Sequence, residues 1–257
     1  MTPASRIARA LGWAIMLWGV GVPLPLSGDP PENSAPAVRV SSNVAWTPET
    51  IKQASNGDPF RGMLLARRCG HCHGSEGFSA EPFVPNLAGI DRLSIWKQLE
   101  DFRSGKRISP VMQPIVVPLS PRDIADVSAY FSLLPTFADP QDNRAFPQAT
   151  TDFAKLRAAA QKLVGFGDGH RGIPPCQACH GPVAYVKGAP ALSTQNGHYV
   201  LTQLQHFADG TRANDINMVM RTIARQLTAE ELGALAEYYG AGRAADRHAE
   251  SLGLPMQ

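Results

Sequence analysis

An all-α protein made of two tandem copies of one helical domain is what this sequence predicts, on three observations. A cysteine–histidine motif occurs twice, as CGHCHG at 69–74 and CQACHG at 176–181, and the two copies use all four cysteines of the 257-residue chain. The segments after each motif overlay on one another, with apolar residues at helical spacing. The alternating apolar–polar runs that make strands are absent from the sequence.

The motif itself admits three chemistries: half of a zinc site, a thiol–disulfide pair, or the two attachment points of a c-type haem with the adjacent histidine on the iron. Zinc gives no reason for a histidine directly after the second cysteine in both copies, and neither does a redox pair. Haem does. On a helix, positions i, i+3 and i+4 share a face. Cys69, Cys72 and His73 hold those positions, as do Cys176, Cys179 and His180. Each domain is therefore expected to wrap around a covalently bound haem c, with His73 and His180 as iron ligands. Gln177 and Ala178 stand between the cysteines of the second motif, so His71 has no counterpart there and is expected at the surface.

From the N-terminus, residues 1–28 carry Arg6 and Arg9 ahead of the apolar stretch LGWAIMLWGVGVPLPLSG. This has the form of an export signal. It is short for a spanning helix, which needs about 20 apolar residues, and Pro23 and Pro25 interrupt it. An uncleaved N-terminal membrane anchor is the alternative. In an exported, oxidising compartment four free thiols would be out of place and four thioethers would not. Removing residues 1–28 takes two arginines and no acid from 24 basic and 22 acidic residues, leaving 22 of each. With haem propionates added, the exported protein is expected to lean acidic, and the sequence shows no nucleic-acid or polybasic membrane patch.

The boundaries expected are an extended N-terminal segment over 29–56, a first domain over 57–135, a linker over 136–150, a second domain over 151–241 and a tail over 242–257. The linker, TFADPQDNRAFPQAT, is marked by two prolines and mixed polarity. At a shift of 105, residues 84–107 meet 189–212, with identities Pro85/Pro190, Leu87/Leu192, Gln98/Gln203, Leu99/Leu204, Phe102/Phe207, Gly105/Gly210 and Arg107/Arg212. Ile95, Leu99 and Phe102, like Val200, Leu204 and Phe207, form one buried helix face, ended by Gly105 and Gly210. At a shift of 108, residues 112–131 meet 220–239. There Ser120 and Thr228 cap a last helix with Asp123 and Glu231 as capping-box partners. Its core stripe is Ile124, Val127 and Phe131 in one copy and Leu232, Leu235 and Tyr239 in the other. Each half is small for an unaided core, and a covalently held porphyrin helps offset that.

The occupant of the sixth position decides what haem iron does. Met112 stands 39 residues after His73, and Met220 stands 40 after His180. Methionine is ordinarily core filler, but the repeat puts one at an equivalent loop position twice, so both are expected as axial ligands. Met218, two residues from Met220, is the competitor. Met63 is expected to pack. His170, His198, His206 and His248 have no repeat partners and are expected in solvent. Arg107 and Arg212 do repeat; each suits either a haem propionate or a surface ion pair.

These residues resemble dihaem class I cytochromes c of the cytochrome c₄ type. The resemblance covers about residues 57–240 and rests on GDGHRGIPPCQACHGP (167–182), the P-x-L turns at Pro85 and Pro190, the QLxxFxxGxR helix ends and the Met-x(6)-L-[ST] segments. It implies two all-α haem domains facing each other, His/Met ligation at both irons, and carbonyls of Pro85 and Pro190 bonded to the ligand imidazoles. Ile90 and Ser94 depart from the family pattern that Gln195 and Tyr199 keep. The function implied is periplasmic electron transfer between a respiratory donor and a terminal oxidase or other acceptor. Partners would be a quinol-oxidising complex, a dehydrogenase or a haem–copper oxidase. A cytochrome subunit of a periplasmic dehydrogenase is the first alternative, and a dihaem peroxidase-like enzyme, which would need an open sixth position, is the second. No acid–base constellation for catalysis is visible.

Overall fold

Thr47, Pro48 and Glu49 start the first helix, α1 (Pro48–Ser55): the Thr47 hydroxyl accepts from Thr50 N–H, and proline at the first position lacks only a donor the helix cannot use. The computed structural model describes residues 46–136, 151–181 and 186–251, with backbone alone for 151–154 and 241–251. The segment expected to be extended over 29–56 is thus helical at its end. The expected signal and nearly all of the expected linker lie outside the described residues.

Helix α2 (Pro59–His73) begins at the Asp58 cap and runs through the first motif to Gly74. Helix α3 (Arg92–Arg103) starts at Asp91 and buries Ile95, Trp96 and Phe102. A short α4 (Met112–Val116) precedes α5 (Pro121–Leu133), where Ser120 and Asp123 form the expected capping box and Ile124, Val127 and Phe131 are buried. Helix α5 crosses α2 so closely that a Cβ on Gly62 would lie 2.0 Å from the Asp126 carbonyl oxygen. Only glycine fits that crossing.

The second half repeats the order with one break. Helix α6 (Thr151–Gly165) is followed by a 3₁₀ turn at Gly169–Arg171 and a four-residue α7 (Gln177–His180). The first motif lies on one long helix. In the second, Pro174 and Pro175 remove donors just ahead of it, so the helix restarts at Cys176. Then come α8 (Gly197–Asp209), a 3₁₀ turn at Ile216–Met218, α9 (Val219–Ala224) and α10 (Ala229–Ser251). Thr228 and Glu231 exchange the capping-box bonds at 3.2 and 2.9 Å. Leu232, Leu235 and Tyr239 are buried. Helix α10 continues through ten residues of the expected tail, because no proline follows until Pro255. Among the described residues the only extended pairing is an isolated bridge, Asp168 to Ile173.

A second repeat underlies this frame. GDPFRG (57–62) and GDGHRG (167–172) match at a shift of 110. Asp58 and Asp168 each accept from the backbone N–H groups two and three residues on. Arg61 and Arg171 then reach the capping acids of the last helices, Asp123 at 2.7 Å and Glu231 at 2.6 Å. The Arg171 bonds hold Glu231 below the usual carboxylate range. Each arginine ties the entry to a cysteine–histidine motif to the last helix of its repeat.

Candidate functional site

His73 and His180 end α2 and α7, and each ring Nδ1 lies 2.8 Å from a proline carbonyl, Pro85 and Pro190 respectively. A carbonyl only accepts, so Nδ1 carries the proton and Nε2 keeps its lone pair for a metal. Burial lowers the pKa of both imidazoles, and the Arg212 charge adds to this at His180. Both shifts favour the neutral imidazole, the form that ligates. Leu192 N–H also donates to the His180 carbonyl at 3.4 Å.

The cysteines lie beside them. Cys69 packs on Ala66, Ile90, Ile95, Val127 and Phe131, and Cys176 on the matching cluster of the second half. Cys72 is exposed and Cys179 half-buried. Burial pushes the Cys176 thiol up to about 11 and raises that of Cys69. A thiol–disulfide pair works through its thiolate, so this setting opposes that chemistry. Among the described residues, no three of His, Cys, Asp and Glu converge on a point as a zinc site requires.

Met112 is the first residue of α4 and Met220 the second of α9, so both lie at starts of short helices and not in loops. Both are half-buried. Met112 packs in a cluster with Trp96, Phe102 and Val116, and Leu99 joins that cluster to the one holding Cys69. Met218 is 43% exposed and sits in the left-handed region at φ 60°. Replacing Met220 with alanine is expected to open one iron to carbon monoxide in the reduced holoprotein, and Met218→Ala is not. Opening by Met218→Ala alone would reverse the assignment.

Among the described residues Arg107 and Arg212 make no surface ion pair. They sit where the two repeats meet, each guanidinium over the phenylalanine of its own repeat, Phe102 at 4.6 Å and Phe207 at 4.4 Å. Arg107 donates to its own Gln98 at 2.7 Å and to Gln203 of the other repeat at 2.8 Å. Arg212 donates to its own Gln203 at 2.8 Å and across to Gln98 at 3.0 Å. Arg107 also reaches the Tyr199 hydroxyl at 2.9 Å. Beside this ring the buried Lys97 bonds Asp101 at 2.5 Å and the Asn214 carbonyl, on the other repeat, at 2.6 Å. Loss of solvent and the nearby Arg107 push Arg212 down to about 9. Burial alone would raise the Tyr199 phenol, but the two arginines bring it below its usual value.

The ring was not foreseeable from its parts. Gln98 and Gln203 were visible as repeat identities, but pairing each with the other repeat's arginine is a tertiary fact. Asn86 and Gln195 add a second crossing: Asn86 N–H donates to the Gln195 side chain at 2.8 Å, and the Gln195 amide returns a bond to the Asn86 carbonyl at 3.1 Å. His71, His170, His198 and His206 are exposed as expected, though His198 meets Phe83 in a tilted contact at 5.5 Å between ring centroids. The side chain of His248 lies outside the described residues. Met63, expected to pack, is 45% exposed.

The donor set fits a haem c in each half: two thiols, an imidazole with a free Nε2, and apolar walls. Trp96 Nε1 and Tyr239 Oη are buried without a hydrogen-bond partner among the described residues, which leaves both free to meet a bound group. No family profile matches the chain. It is 34% identical to cytochrome c4 of Thiocapsa roseopersicina over 190 residues, which cover 71% of this chain and 91% of that one.

The chain belongs to the cytochrome c4 family.

It is accordingly an all-α dihaem electron-transfer cytochrome with two covalently attached haem c groups. The crystal structure of reduced cytochrome c4 from Pseudomonas stutzeri superposes with a TM-score of 0.62 at 32% identity, over 72% of this chain and 98% of that one. A protein of Stutzerimonas stutzeri named thiosulfate dehydrogenase electron acceptor is 40% identical over 184 residues, covering 68% of this chain and 78% of that one. Cytochrome c4 homologues are periplasmic, and no described helix here is long and apolar enough to cross a membrane.

Proposed function

We propose that the protein is a periplasmic two-electron relay, not itself an enzyme, that takes electrons from a dehydrogenase and passes them to an oxidase or another acceptor. The observation that carries this reading is the ring of Arg107, Arg212, Gln98 and Gln203, which fastens two haem-binding repeats into one body. Export by residues 1–28 and the domain limits given above belong to the same proposal. Its likeness to a thiosulfate dehydrogenase electron acceptor makes a periplasmic dehydrogenase the favoured donor.

In this reading Cys69, Cys72, Cys176 and Cys179 carry the thioethers. His73 and His180, oriented by Pro85 and Pro190, bind the irons from one side, and Met112 and Met220 bind them from the other. Bound haem supplies the one-electron ferric/ferrous couple. The chain's own part is to hold the ligands so that little rearranges on electron transfer, and to balance charge. Lys97, Arg107 and Arg212 bring three cations to a patch where Asp101 bonds Lys97 and Asn214 and where Asp215, also close to Arg212, is already paired with Arg221. An excess of buried cation is costly unless anions meet it. Haem propionates are the anions the site would hold, with Arg107 and Arg212 as their partners.

Potentiometric titration of the holoprotein should resolve two one-electron steps, because each reduction adds negative charge near the other haem. Arg107→Gln or Arg212→Gln should lower the potentials and change their separation, since removing a cation disfavours the added electron. A single Nernst curve untouched by either substitution rejects the coupled relay. Reduction by a thiosulfate dehydrogenase and thiosulfate, with no other mediator, tests the donor.

A further inference from the structure

Trp46 lies ahead of α1, twelve residues before the Asp58 cap that opens the repeat. Its ring sits in the first-half cluster with Trp96, centroids 6.2 Å apart, and with Met112. Its indole Nε1 leaves that half and donates to the Lys187 carbonyl of the second at 3.1 Å. The next residue, Gly188, has φ +85°, and a Cβ there would come within 2.9 Å of the Trp46 ring. The loop therefore turns directly beneath the indole, where a side chain does not fit. Ala189 N–H closes the turn on the Val186 carbonyl at 2.9 Å. One residue on is Pro190, whose carbonyl lies 2.8 Å from His180 Nδ1.

We propose that Trp46 is a positioning residue for the second haem: it clamps the 187–190 loop from the opposite repeat and so fixes the acceptor that orients His180. This rests on His180 being an iron ligand, as read above. The first half is braced in the same sense by a different residue. Asn196 of the second repeat donates to the Glu81 carbonyl at 3.1 Å, in the loop that leads to Pro85. Each loop that sets a histidine is thus held by the other repeat, through Asn196 and the Asn86–Gln195 exchange in one case and an indole in the other.

The direction of the effect follows from ligand chemistry. An imidazole that donates to a well-placed carbonyl is a more basic ligand and favours ferric iron. A loosened Pro190 carbonyl weakens that donation and raises the potential of the second haem. The test uses the full-length dihaem holoprotein. Trp46→Phe keeps an aromatic ring in the Met112 cluster and removes the N–H donor together with the indole edge that faces Gly188. Gly188→Ala disturbs the same contact from the loop side. Each should raise one potential and leave the other in place, with faster solvent exchange of the His180 ring N–H than in the parent and unchanged exchange at His73. Potentials and exchange that match the parent in both variants, even with a lowered melting temperature, overturn the positioning role. A parent whose second iron shows no histidine ligation overturns the role together with the ligand assignment, and NMR of the parent alone separates that case.

Discussion

Asp101→Ala is expected to cost about 3–5 kcal/mol of stability, the range for removing one partner of a buried ion pair. Lys97 is 2% exposed and Asp101 fully buried, and the carboxylate also accepts from Asn214 Nδ2 at 2.7 Å across the interface. Without it, a buried ammonium is left facing Arg107 and Arg212, both of which already depress its pKa alongside the larger effect of burial. A urea melt of the holoprotein reads the loss as a lower midpoint. Adding Lys97→Met to Asp101→Leu should recover part of it, because the stranded charge is then gone. An Asp101→Ala midpoint equal to the parent's would show that solvent reaches the pair.

Cys176→Ala combined with Cys179→Ala should have the other large effect, a chain that carries one haem instead of two. The mass under denaturing conditions falls by one haem, and the pyridine haemochrome absorbance per chain halves. Cys176 packs on the core cluster of Leu163, Val164, Ile173, Val200 and Tyr239, so the second half loses both its anchor and a large part of its apolar interior. The first half, attached through Cys69 and Cys72, stays loaded. Retention of two acid-stable haems would reject attachment at the second motif.

Much of the helical frame was legible because its signals are local. Ile95 and Phe102 are buried on α3, Val200 and Phe207 on α8, and both capping boxes stand where the serine and threonine were read. The imidazole–carbonyl bonds at Pro85 and Pro190 are present in both halves as the resemblance implied. What escaped was long-range or out of register. The GDxxRG pair lies at a shift of 110, apart from the 105 and 108 of the other segments, so the clamps by Arg61 and Arg171 went unread. Helix α1 offered eight residues with Ala54 as the one that is buried. Arg107 and Arg212 look like surface residues along the chain, and only folding brings each to the other repeat's glutamine, 96 and 114 positions away.

The crossed exchange among Gln98, Arg107, Gln203 and Arg212 has the form of an isologous contact: what one side gives, it receives from the equivalent group on the other. In a symmetric dimer such a contact exists only at sufficient protein concentration. Here both sides belong to one polypeptide, so closure is intramolecular and dilution does not part them. Fusion also frees the two sides to differ. Lys97 and Asp101 bury an ion pair where the second repeat has Thr202 and the exposed His206, a divergence that would burden both subunits of a homodimer and here falls on one side alone.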